Sequence, residues 1–203
     1  MKRVNADQVS LFRVPLHCGM APEIGSGSLA RPLLVTLERT PGITEAWLNK
    51  AGTMLAVVGS KNFSDERRAQ VVKAALEAED ILSEELRDQA RDAAFEDFLV
   101  GADWLRGTDV DQLSIREADI IGLRLVKRLQ TKATVSENVA DALAAAIAAF
   151  FKQRFLRDRI QPEQVNHSSK ELLRLATAYL DDQVIGAFAD ALKEGFRPRP
   201  GES

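Results

Sequence analysis

His17, Cys18 and Met20 stand in one short stretch and supply an imidazole, a thiol and a thioether, the side chains that soft metals favour. Cu(I) takes thiolate and thioether ligands readily, and imidazole can complete the set. The three converge if the chain turns at Gly19, whereas His17 and Cys18 would point to opposite faces if a strand ran through them. Cys18 is the single cysteine, so no internal disulfide competes for it, and the chain fits a reducing compartment. The competing structural reading makes Cys18 a small buried hydrophobe and Met20 a core filler.

Other groups of residues carry weaker chemistry. Gly25-Ser26-Gly27-Ser28 precedes a helix start, where amides could bind an anion, but no Walker lysine follows and the spacing fits a dinucleotide fingerprint poorly. Glu85, Asp88, Asp92 and Glu96 fall near one helical face. Arg87 and Arg91 interleave with them, which suits a solvated ion-pair face, and no Glu-x-x-His pair of the bundle di-metal kind is present. His167 beside Ser168 and Ser169 reads as a surface or capping residue. Arg124, Lys127, Arg128 and Lys132 form one basic stripe, and Lys152, Arg154, Arg157 and Arg159 another. Both suit solvated helix faces, and no nucleic-acid partner is expected from a chain of net charge −3.

These residues need elements to position them. Leu11 to Leu16 is strand-like, with Pro15 marking either an edge position or the strand's end. Ser28 caps a helix-like run to Glu38, in which Pro32 is tolerable only within the first turn. Pro41-Gly42 stops it. Ile43 to Lys50 and Thr53 to Val58 flank a hairpin turn at Ala51-Gly52. Ser64 caps a second helix, with Asp65 and Glu66 complementing its dipole. Glu77 to Leu82 is too acidic to offer a persuasive fourth strand. Everything after Ser83 reads as helix: 83–100 ending at Gly101, a segment from about 114, another over 136–159, and a last one over 168–193 with a bend at Gly186. The positions Val139, Leu143, Ala146, Ile147, Phe150 and Phe151 form an apolar stripe that suits a core and, through its alanines, self-association.

Leu16-His17-Cys18-Gly19-Met20, Leu37-Glu38-Arg39-Thr40-Pro41-Gly42-Ile43 and Ala46-Trp47-Leu48-Asn49 together resemble the heavy-metal-associated (HMA-like) domain family, over residues 11–80. The resemblance implies a ferredoxin-like fold and a metal loop after the first strand. The family's second loop cysteine is absent here, where Gly19-Met20 follow Cys18, so Cys18 is the ligand the resemblance carries over.

The expectation is therefore α+β: an N-terminal ferredoxin-like βαββα(β) unit over 1–82, an all-α helical bundle over 83–196 and a disordered tail over 197–203. The expected function is that of a cytoplasmic, non-enzymatic accessory protein that binds or senses a copper or other soft metal ion through Cys18, Met20 and His17. The alternative is a protein–protein interaction module that has lost metal binding, with a protein partner or self-association through the helices. No stretch is apolar enough for a membrane span, and Asn5, Asp7 and Gln8 interrupt any signal-peptide core.

Overall fold

The strand β1 (Val9–Arg13) sits inside the sheet, and four of its five residues are buried. A computed structural model describes residues 4–158 and 168–202. By its internal contacts the chain falls into two units, Met1–His17 with Glu23–Leu113, and Cys18–Pro22 with Ser114–Ser203.

In the first unit the order is β1, α1 (Gly27–Arg39), β2 (Ile43–Asn49), β3 (Met54–Gly59), α2 (Asp65–Ala78), β4 (Glu84–Glu85), α3 (Asp88–Val100) and β5 (Trp104–Arg106). The sheet order is β4-β1-β3-β2-β5, with every neighbouring pair antiparallel. Val9 lies opposite Val58 and Leu11 opposite Ala56. Because side chains alternate along a strand, these residues share one face, where α3 covers them with Ala94 and Phe98 beside Trp104 and Leu86. Phe98 packs edge-on to Trp104, with ring centres 5.1 Å apart. The other face carries Phe12, Leu48, Leu55 and Val57, all buried, and α1 and α2 pack there. The chain is thus α+β, with both sheet faces covered.

Local sequence explains most of these elements. In α1, Ala30, Leu33, Leu34 and Leu37 are buried at helical spacing. Ser64 Oγ accepts the Arg67 amide at 3.4 Å and caps α2 as expected. The turn after β2 is held by Asn49, whose Oδ1 accepts the amides of Thr53 and Met54 at 2.8 and 3.0 Å. Pro32 lies beyond the first turn of α1; its missing donor removes one helical bond, and the buried face carries the helix through.

Several expectations need correction. The region after Ser83 is not wholly helical. It contributes β4 and β5, and α3 begins at Asp88 rather than near Ser83. Trp104-Leu105-Arg106 is too short to show a period, and it becomes a strand because the free edge of β2 accepts it, with Leu48 opposite Leu105. By internal contacts the first unit runs on to Leu113, and Phe98 and Trp104 belong to the core on the sheet.

The second unit holds most of α4 (Asp111–Gln130), α5 (Glu137–Gln153) with a π turn at Arg154–Asp158, α6 (Ser169–Ala176) and α7 (Asp182–Lys193). The single last helix expected over 168–193 is two helices. Asp181 caps the second, its Oδ1 accepting the amides of Gln183 and Val184 at 3.1 and 3.0 Å. The small-residue approach occurs within the chain, where a Cβ on Gly122 would lie 2.6 Å from the Ala144 carbonyl oxygen. Of the apolar stripe, Leu143, Ile147 and Phe151 are buried while Val139, Ala146 and Phe150 are half-buried, and Ala140, Ala144 and Ala148 complete the buried face of α5. The segment expected as a disordered tail is instead held on α4 through Arg128 and Glu202. Among the described residues no helix is long and apolar enough to cross a membrane. His167 and Arg159 lie outside the described residues.

Candidate functional site

The three residues of the expected metal loop are placed differently. His17 is exposed and pairs with Gly25 in an isolated antiparallel bridge. Cys18 and Met20 are buried in the second unit. The Met20 amide donates to Cys18 Sγ at 3.3 Å, and Arg124 Nη1 donates to the Met20 carbonyl at 2.6 Å. Burial pushes the Cys18 thiol up, and the negative charge of Glu117 beside it adds to the shift. A soft metal needs the thiolate, and this environment disfavours it. Among the described residues no three or more His, Cys, Asp and Glu side chains are grouped to hold a metal ion.

The anion loop of the glycine-serine run is likewise engaged in the fold. The Gly25 amide donates to the Lys50 carbonyl and the Ser26 amide to the Leu16 carbonyl, both at 2.7 Å. Of the expected acidic face, Glu85 sits on β4 rather than on α3. It accepts Lys73 Nζ at 2.8 Å in a charged cleft of about 460 Å³ that also contains Asp65, Asp88 and Arg91. Charges of both signs pair there.

The surface that stands out is at the other side of β4. A concavity of about 660 Å³, mainly apolar, is formed by Val14, Pro15, Met54 and Leu82, with Arg13 and Glu84 at its rim. Leu82 is 83% exposed, the most exposed large hydrophobic side chain among the described residues. Arg13 and Glu84 pair at 2.5 Å with both side chains mostly in water, so their attraction contributes little and the rim can rearrange. Among the described residues β4 has one strand neighbour, β1, so its outer backbone edge faces away from the sheet. Glu84 on this edge is exposed, as are Glu77, Glu79 and Asp80, which precede it in the chain.

Sequence reasoning missed this groove. The signal was Ile81-Leu82, an apolar pair attached to an acidic run with no period to place it. The basic stripe of α4 also turned out differently: Arg124 and Arg128 are each 3% exposed, while Lys127 is exposed. Both buried arginines fall in register with Ile121 and Leu125, at the spacing of a core face.

One consequence can be measured directly. Cys18 is expected to react with an aromatic disulfide reagent on the order of a hundredfold more slowly in the native protein than in denaturant, because the thiol is buried and its thiolate disfavoured. Equal rates would show the thiol to be accessible.

No protein-family model matches this chain, and neither a curated protein nor a solved structure does.

Proposed function

We propose that the chain is a non-enzymatic, intracellular accessory protein whose first unit takes an extended segment of a partner protein along β4. The observation that carries this reading is the exposed Leu82 in an apolar groove beside a short edge strand. Helices cover both sheet faces, so an edge is where the sheet can add a partner. Pairing of β4 with a second copy in antiparallel register would bring Glu84 and Glu85 of the two copies together, and facing like charges disfavour that. The exposed acidic residues of 77–84 favour a segment that carries an apolar residue flanked by lysine or arginine. The intracellular placement rests on the single cysteine.

The reading includes a ferredoxin-like first unit related in pattern to heavy-metal-associated domains. Its support is the order β4-β1-β3-β2, antiparallel throughout, with α1 and α2 as the connecting helices; β5 is an addition beyond β2. Copper-type binding at Cys18, Met20 and His17 takes second place, because burial of the thiol opposes the thiolate such a site requires.

The test is titration of isotope-labelled protein with a synthetic peptide of alternating valine and lysine. Shifts are expected at the amides of Arg13, Thr53 and Leu82 to Glu85, and saturation should be reached. Leu82→Asp should weaken binding roughly tenfold or more, since a buried leucine contributes about 1.5–3 kcal/mol. An alternating valine–glutamate peptide should not bind. The proposal fails if the lysine peptide shifts nothing near β4 or if Leu82→Asp binds it unchanged.

A further inference from the structure

The second unit contains a different arrangement. Arg128 projects from α4 with its side chain 3% exposed. Its Nε donates to Glu202 Oε1 at 3.0 Å and its Nη2 to Glu202 Oε2 at 2.5 Å. The Arg199 amide donates to Oε2 as well, at 3.0 Å. A planar guanidinium fork plus one backbone amide is the geometry with which proteins recognise a free carboxylate. The remaining Arg128 donors bind the carbonyls of Gly195 and Arg197, at 2.5 and 2.7 Å. They fix the fork in place whether or not Glu202 fills it.

Space and charge extend past Glu202. A pocket of about 270 Å³ opens beside it, with Lys127, Thr131 and Arg199 among its walls. Lys127 is exposed, and among the described residues it makes no ion pair that would neutralise it within the pocket. Lys132 and Arg199 both pair with Glu194, and Arg199 also adds its charge beside Glu202. Cations therefore outnumber carboxylates around a buried fork. Glu194 reaches Arg128 Nε only at 3.9 Å, through Oε2, and is shared with Lys132 and Arg199. A buried guanidinium that loses its chelating anion is costly, so the fork retains a demand for an oxyanion when Glu202 leaves.

We infer that the pocket between α4 and residues 195–202 is a carboxylate-binding site, occupied in this structure by the chain's own Glu202 and open to a small carboxylate in its place. The ligand chelates Arg128 through both oxygens, accepts the Arg199 amide, and places any second anionic group near Lys127. Glu202 competes with it, so the side chain acts as an internal gate on the site.

The experiment compares the full chain with Glu202→Gln and Glu202→Ala, following thermal midpoint and calorimetric binding of acetate, succinate and inorganic phosphate against chloride at equal ionic strength. Both variants are expected to be stabilised by acetate and succinate. The wild type should bind the same anions at least tenfold more weakly, because Glu202 must be displaced. Adding Arg128→Lys to Glu202→Gln should abolish the effect, since an ammonium cannot chelate both oxygens. The inference is overturned if neither variant responds to carboxylates beyond chloride, if phosphate alone acts, or if wild type and variants bind equally. A merely structural latch would lose stability on substitution and recover none with acetate.

Discussion

Arg68→Met is expected to destabilise the protein by about 3 kcal/mol, the cost of removing the buried donor that joins Ser10 to the Asp7 and Phe63 carbonyls rather than of losing an ion pair. Arg68 is 0% exposed in α2. Its guanidinium donates to Ser10 Oγ at 2.8 Å, to the Phe63 carbonyl at 3.2 Å, to the Asp7 carbonyl at 2.9 Å and to Asp65 Oδ1 at 2.6 Å. It ties β1, the segment before it and the loop before α2 to one charge. Burial holds the Arg68 pKa below its ordinary value, and the attraction of Asp65 opposes that shift without cancelling it. Desolvation is therefore the larger effect, and the guanidinium also donates to Ser10 and to the Phe63 and Asp7 carbonyls.

Asp65 separates the two explanations. Asparagine there keeps the Oδ1 acceptor and removes only the charge, so Asp65→Asn should cost less than Arg68→Met, which removes every donor of the network. Methionine at 68 keeps the stem volume but removes the donor to two backbone carbonyls. Urea denaturation of both variants beside wild type decides the matter. Equal losses for the two would show that the ion pair carries the stability, and a loss below about 1 kcal/mol for Arg68→Met would remove the network as a stabilising element.

Arg68 also shows where the sequence was readable and where it was not. The hairpin over 43–58, the Ser64 cap and the buried stripe of α1 follow from periods and turn residues, which are local properties. Arg68, Val72 and Leu76 share one helical stripe by spacing alone, and Arg124 and Arg128 share another with Ile121 and Leu125. A charge in register with an apolar stripe is the sequence mark of a buried ion, and it was readable. Its partners were not: Ser10 lies 58 residues from Arg68, and Met20 lies 104 from Arg124. β5 was hidden for the same reason, since three residues carry no period and their pairing depends on an edge far back in the chain. The metal loop is a different case, because ligand types are visible in sequence while burial, which bears on whether Cys18 can ionise, is a tertiary property.

Gly52→Ala is expected to cost about 4 kcal/mol, because the turn at Gly52 is also a docking point for another segment. Gly52 has φ +72°, where an L side chain costs roughly 1–2 kcal/mol. A Cβ there would stand 2.3 Å from the Leu16 carbonyl oxygen and 2.5 Å from Gly25 Cα. Both are backbone atoms, so no rotamer change relieves the clash. Leu16 must move, and three bonds loosen with it: Leu16 amide to Gly52 carbonyl at 2.8 Å, Ser26 amide to Leu16 carbonyl at 2.7 Å, and Gly25 amide to Lys50 carbonyl at 2.7 Å. At about 1 kcal/mol each they bring the total to the stated size. Gly107 is the control, since its φ is +56° and nothing lies within 4 Å of its would-be Cβ. Gly107→Ala should lose only the backbone cost of roughly 1–2 kcal/mol. Thermal and urea denaturation of the two variants measure the difference, and equal losses would mean that backbone conformation alone, not the approach of Leu16 and Gly25, makes glycine necessary at 52.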